Sequence, residues 1–160
     1  MTDTALRDLL RKILGFFLLI ISLPFIIVFL FGYVLYGLGL NIAIWISWIP
    51  RGKSILFVTS DSPVWQTYMD SEIIHGLESK GVILNWSKRK TWGRKPNLAI
   101  MAFRYFGGSQ EFNPVAVVFS PFNKTKVFRF WQAFKDYKHG NSAPLEQMKS
   151  DLLTYIESKT

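Results

Sequence analysis

The sequence predicts an α/β domain carried behind an N-terminal transmembrane anchor, and three observations lead there. No charged side chain occurs between Ile13 and Pro50, a run of 38 residues. From Arg51 to Thr160 the chain becomes charged and is punctuated by turns, about 110 residues in all, enough for one domain with its own core. Within that stretch, short apolar runs of strand composition alternate with segments of helical period, in the order strand, helix, strand, helix, strand, strand, helix. The expected organisation is a cytoplasmic N-terminal segment over residues 1–12, an anchor over 13–50 and a head over 51–160.

As one straight helix the uncharged run would be nearly twice as long as the roughly 30 Å hydrocarbon core of a bilayer. Two arrangements fit. One is a hairpin of two short spans turning near Phe31, Gly32 and Tyr33. The other is a single span from Ile13 to Tyr36 followed by an interfacial segment, in which Gly37, Gly39 and Asn41 loosen the helix and Trp45 and Trp48 lie at headgroup level. Arg7, Arg11 and Lys12 precede the run while Arg51 and Lys53 follow it, so the positive-inside preference favours the hairpin, with both flanks in the cytoplasm. The expected location is an integral one, as in a bacterial inner membrane, with the head in the cytoplasm. Pro24 is tolerable in either arrangement. A secretory signal has an apolar region of roughly 7 to 15 residues and a small-residue cleavage site, neither of which matches this run. Cysteine is absent, so no disulfide framework exists. Asn85-Trp86-Ser87 and Asn123-Lys124-Thr125 match the glycosylation acceptor pattern but read as incidental.

The head opens with Ser54 to Thr59, an apolar run suited to a buried strand, which ends in the turn Ser60-Asp61-Ser62-Pro63. Ser62 can cap a helix whose first position is Pro63. Trp65, Met69, Ile73 and Leu77 then recur every four residues up to Gly81. Val82 to Leu84 is a second short strand, followed by a basic loop from Lys88 to Lys95. Pro96 to Phe106 has the composition of a short helix before Gly107-Gly108. Val115 to Phe119 is a buried-strand pattern, and a turn over 121–125 leads into Lys126 to Trp131, giving an antiparallel hairpin. Ser142 and Pro144 open a last amphipathic helix with Leu145, Met148, Leu152 and Tyr155 on one face.

This succession, with a proline in the turn after the first strand and Pro114 just before the third, resembles the thioredoxin-like fold over roughly Ser54 to Ile156. The resemblance implies a βαβαββα head in which Pro114, in Phe112-Asn113-Pro114-Val115, is a cis proline packed against the first turn. The redox turn of thioredoxins and glutaredoxins aligns with Asp61-Ser62-Pro63-Val64 or with Ser62-Pro63-Val64-Trp65, and neither register contains a cysteine. Thiol-disulfide exchange needs a thiolate, which Asp and Ser cannot replace. A conventional thiol oxidoreductase is therefore excluded. A flavodoxin-like or receptor-type α/β sheet is the structural competitor, with more parallel strands.

Ligands of α/β proteins bind at the carboxyl ends of parallel strands. The crevice residues expected there are Ser60, Asp61, Ser62, Pro63 and Trp65 after the first strand and Asn85 and Trp86 after the second, with Asn113 and Pro114 brought alongside. Asp61 is the candidate acid or base, although capping of the following helix explains the same residues. A triad from Ser62, Asp61 and His75 or His139 lacks the glycine-flanked nucleophile pattern. With two histidines and no cysteine no metal site is expected, and no phosphate-binding glycine loop is present, so no cofactor is expected either. Between Trp86 and Lys138 lie eleven Lys and Arg against two acids, so this segment carries the basic character of a chain whose net charge is +8. Aromatics interleaved there, Trp86, Trp92, Phe128, Phe130, Trp131, Phe134 and Tyr137, suit anionic headgroups or an acidic partner, with nucleic acid behind both for a tethered domain.

Two functions follow from these features. The first is a non-enzymatic binding or assembly module in a membrane complex, with Lys88, Arg89, Lys90, Arg94 and Lys95 contacting an anionic partner or lipid. The second is a membrane-associated enzyme using Asp61 on a lipid-linked or phosphorylated substrate. Trp65 and Trp86 lining one apolar groove would favour binding, whereas a buried Asp61 would favour catalysis.

Overall fold

The computed structural model describes residues 3–93, 97–108 and 113–159. Helix α1 (Asp3–Ser47) is continuous, so the turn expected at Phe31, Gly32 and Tyr33 is not formed. A lone glycine costs a helix only about 1 kcal/mol, and no second breaker stands beside Gly32 to close a turn. Pro24 is also accommodated inside the helix.

The chain divides into two units, Met1–Gly39 and Leu40–Thr160. In the first, the side chains from Ile13 to Tyr36 are exposed around the whole circumference, except the half-buried Ser22, whose hydroxyl donates to the Leu19 carbonyl at 2.9 Å. A core helix of a soluble protein would bury much of such a surface. Here none of the most apolar window is buried, and by length and composition the helix is long enough to cross a membrane.

The second unit is α/β and is built on a four-stranded sheet of order β2-β1-β3-β4. Strand β1 (Ile55–Thr59) pairs in parallel with β2 (Gly81–Asn85) and antiparallel with β3 (Val115–Val118), which pairs antiparallel with β4 (Lys126–Arg129). These strands fall within a residue or two of the expected ones. A helical segment α2 joins β1 to β2, as an α-turn (Gln66–Tyr68), a π-helical stretch (Met69–Ile74) and a 3-10 turn (His75–Leu77). Helix α3 (Leu98–Ala102) continues into a π turn (Phe103–Gly107). Helices α4 (Trp131–Lys138) and α5 (Ala143–Glu157) complete the unit.

Side chains alternate across a strand, so β1 feeds two cores. Ile55 and Phe57 join Met69, Ile73, Phe134, Leu145 and Leu152 under α2, α4 and α5. Leu56 and Val58 join Ala99, Ile100 and Phe103 of α3 on the other face. That second core also takes Ile44 and Trp48, from the stretch expected to lie wholly in the anchor, with Trp48 edge-on to Phe119 at 5.8 Å. Leu40, Ile44 and Trp48 are buried at a spacing of four, so the end of the uncharged run is amphipathic and belongs to the second unit. The unit therefore begins at Leu40 and not at Arg51.

Helix α5 is tied to α2 by two polar contacts: the Tyr68 hydroxyl donates to Glu146 Oε1 at 2.7 Å, and Lys149 Nζ pairs with Glu72 at 2.8 Å. Burial, reinforced by the hydrogen bond and charge of Glu146, raises the Tyr68 pKa above the usual tyrosine range. The bond to Glu72 raises that of Lys149. A group whose pKa is raised by folding stabilises the native state below its unfolded pKa and loses that contribution as pH rises. Unfolding midpoints of detergent-solubilised chain should thus fall above about pH 10, the ordinary tyrosine value, and Tyr68→Phe should flatten that fall. Ile44→Ala should cost about 2–5 kcal/mol in the same measurement. Ile46→Ala should cost far less, since Ile46 is 72% exposed.

Candidate functional site

The parallel register sets Thr59 beside Asn85, so the turns that follow β1 and β2 leave the sheet at the same end. Val58 pairs with Val115, and the antiparallel register then carries Asn113 and Pro114 alongside Thr59 and Ser60. Of the expected crevice residues, Ser60, Asp61, Asn85, Asn113 and Pro114 stand together at one end of three adjacent strands. The Asn113-Pro114 peptide bond is cis, as the resemblance implies.

Within this cluster the polar groups bond to each other. Asn85 Nδ2 donates to Asp61 Oδ1 at 2.6 Å, the Asp61 amide donates to Ser87 Oγ at 2.9 Å, and the Ser87 amide donates to Asn85 Oδ1 at 2.9 Å. Asp61, which is exposed, links the ends of two parallel strands. Capping of the next helix is not its role. The nearest thing to a cap is Ser62, whose Oγ accepts from the Val64 amide at a marginal 3.4 Å. Helix α2 starts three residues after Pro63, at Gln66, so neither Ser62 nor Pro63 occupies the terminal position expected of it. Neither His75 nor His139 joins Asp61 or Ser62. His75 lies exposed at the far end of α2, 3.8 Å from Glu78.

The two tryptophans do not form one groove. Trp65 donates its indole N–H to Ser60 Oγ at 3.0 Å and packs on Trp131 and Phe134, on the α4 side of the sheet. Trp86 packs edge-on against Trp92 and Phe103, on the α3 side. Trp65 opens the α2 segment, which covers the Ile55 and Phe57 face, while Trp86 follows β2 directly and joins the α3 core, so sequence proximity to the crevice does not make the two rings neighbours.

The basic segment is ordered as a 3-10 helix (Trp86–Thr91), with the Asn85 side chain capping the Ser87 amide. Lys88, Arg89 and Lys90 are exposed on it, and the Arg89 guanidinium lies 4.9 Å from the Trp86 ring. Arg94 and Lys95 lie outside the described residues. Three of the interleaved aromatics, Phe128, Phe130 and Phe134, are buried core side chains and present no ligand surface. Trp131 and Tyr137 stand on α4, a helix the basic composition had concealed.

Two features escaped sequence reasoning. Asn113 is only 4% exposed, and among the described residues its Oδ1 has no hydrogen-bond partner. At the opposite end of the sheet an open cleft of about 390 Å³ is bordered by Lys53, Ser54, Lys80, Ser120, Pro121 and Lys159. Only the short polar turn 121–125 hinted at it.

No protein-family model, curated protein or solved structure matches this chain. The site's internal bonding can be measured directly. Asp61→Ala should lower stability by about 0.5–1.5 kcal/mol, the worth of an ordinary hydrogen bond. Ser62→Ala should change it less than the roughly 1 kcal/mol expected of a lost helix cap. Equal losses at the two positions, read from denaturation midpoints, would restore the capping role.

Proposed function

We propose that this protein is a membrane-tethered binding or assembly module whose head is a thioredoxin-like scaffold without redox thiols, and whose strand-end crevice holds a segment of a protein partner. The sheet order and the pairing directions within it support the thioredoxin-like reading. The observation that carries the function is the closed network of Asp61, Asn85 and Ser87. In a chain without cysteine, the polar groups at the position of chemistry hold the crevice in shape. Asp61 is exposed and its carboxylate is engaged by the Asn85 side chain, which gives the enzymatic alternative less support.

An extended segment entering this crevice meets two features suited to a peptide. Asn113 Oδ1 is buried beside the crevice, and an unpaired buried acceptor carries a desolvation cost that a partner's donor would offset once the turn before β3 shifts to admit it. Lys88, Arg89 and Lys90 on the adjoining turn suit an acidic segment. They stand at the Asn85 end of the sheet, about 15 Å along the strands from the end at which the polypeptide enters from α1, so an acidic partner suits them better than a headgroup layer. The tether is α1, crossing once, with the head in the cytoplasm. Arg51 and Lys53 beside the entry suit that side, Arg7, Arg11 and Lys12 on the other flank oppose it, and the accessibility test below decides between them.

A photo-crosslinking side chain at Ser62 in intact cells should trap a discrete protein adduct, while the same group at Gln147, on the exposed side of α5, should not. Lys88→Glu with Arg89→Glu should weaken the Ser62 adduct. Adducts absent from Ser62, or equal at both positions, would refute the crevice as a contact. Cysteines introduced at Thr4 and Ser142 report the topology against an impermeant thiol reagent. A single crossing with a cytoplasmic head predicts labelling at Thr4 alone, whereas labelling at Ser142 would put the head on the other side.

A further inference from the structure

We infer that the turn between β3 and β4, with the lysines around it, is a docking surface for an anionic lipid bilayer, and that Phe122 is the side chain it inserts. The inference rests on the tether reading and adds to it a face of the head that lies on the membrane.

Phe122 is 93% exposed and has a φ of 60°. Bulky side chains rarely adopt that left-handed region, and the neighbouring Asn123 would take it at less cost. The turn thus holds a large apolar ring in water on a backbone that disfavours it. Both costs are understandable if the ring has an apolar destination. The ring meets that of Trp45 at 5.6 Å and 48°. Trp is itself a residue favoured at the headgroup level.

The turn also lies where the polypeptide enters the unit. Thr125 Oγ1 donates to Asn41 Oδ1 at 3.0 Å. Asn41 is five residues beyond Tyr36, where the fully exposed apolar stretch ends, which is about 8 Å along a helix. The turn is therefore bonded to a residue only five positions along the chain from the stretch that a bilayer would take up. No such continuity exists for Lys88 to Lys90 at the other end of the sheet.

Charge complements the apolar tip. Lys124 is exposed beside Phe122, Lys159 reaches Asn123 Oδ1 at 3.2 Å, and Lys53 is held by the Glu78 carbonyl at 2.9 Å. Lys53 and Lys159 border the cleft of about 390 Å³, which is open to a phosphate-bearing headgroup. Carboxylates also stand near this surface: Asp151 on the side of Lys126, Glu78, whose carbonyl holds Lys53, and Glu157, two residues before Lys159. Basic side chains beside an inserted aromatic ring are the arrangement that adds electrostatic attraction to apolar burial at an anionic surface.

The absence of native cysteine makes the test direct. Full-length chain in phospholipid vesicles would carry a fluorophore on a single cysteine at Leu19, Phe122 or Lys88, with nitroxide-bearing lipid as quencher. In vesicles rich in acidic phospholipid, emission should be quenched at 19 and at 122 but not at 88. Quenching at 122 should weaken in neutral vesicles, in the triple variant Lys53→Gln, Lys124→Gln, Lys159→Gln, and when salt rises from about 0.1 M to about 1 M, where screening becomes severe. Because the label at 122 replaces the ring, a second label at Lys124 keeps Phe122 intact. There Phe122→Ser should abolish the quenching, and quenching that survives this change would overturn the insertion. A label at 122 as unquenched as that at 88, with 19 quenched, would overturn the docking surface and leave the tether standing. Loss of quenching at 19 as well would remove both.

Discussion

Strand β1 has no solvent-facing side, and the rest of the second unit answers to that constraint. All five of its side chains are buried, and because neighbours on a strand leave opposite faces, two separate apolar covers are required. Helices α2, α4 and α5 supply one around Ile55 and Phe57. The other, over Leu56 and Val58, uses α3 together with Ile44 of α1 and Trp48 just after it. Burying a side chain of this size fully is worth roughly 1.5–3 kcal/mol. The last turns of the apolar N-terminal helix are thus part of the head's core, and its apolar surface changes from all-round to one-sided near Leu40.

That change explains what could be read beforehand. The strands were legible because β1 and β3 are continuous apolar runs closed by turn residues, and α5 was legible from Leu145, Met148, Leu152 and Tyr155. The boundary at Leu40 was not. An uncharged segment gives no polar stripe from which to read which face is buried, and Leu40, Ile44 and Trp48 stand out only once the sheet they pack on is known. Helix α4 was hidden for another reason: Trp131, Phe134 and the lysines about them have the composition of a ligand surface, yet Phe134 is core. At the candidate site, the order of strands and turns put Asp61, Asn85 and Asn113 at one end of the sheet, while the bonding among the side chains stayed invisible. An Asp after a strand caps a helix in many proteins; here the register of β2 brings Asn85 within 2.6 Å and gives the carboxylate a different bond.

The sheet has two chemically different ends. At one, the turns after β1 and β2 gather Asp61, Asn85, Ser87 and the exposed Lys88, Arg89 and Lys90, with Asn113 beside them. At the other, Lys53, Lys124 and Lys159 surround an exposed Phe122 next to the point where the polypeptide arrives from α1. A bulk charge of +8 conceals this division, because the cations are shared between the two ends. If the proposed contacts form, their separation by the length of a strand leaves the crevice open to solvent while the opposite end is occupied.

The order β2-β1-β3-β4 also leaves two outer strands that are guarded unequally. Among the described residues, β4 carries the exposed charges Lys126 and Arg129, the kind of side chain that discourages a neighbouring chain from adding itself to a sheet. Strand β2 (Gly81–Asn85) contains no charge, and it presents Ile83, 50% exposed, toward water. Its free row of amides and carbonyls is the more receptive template for one further strand. An added strand would therefore meet less resistance at β2 than at β4, and Ile83→Lys is the change by which the two edges would become equally guarded.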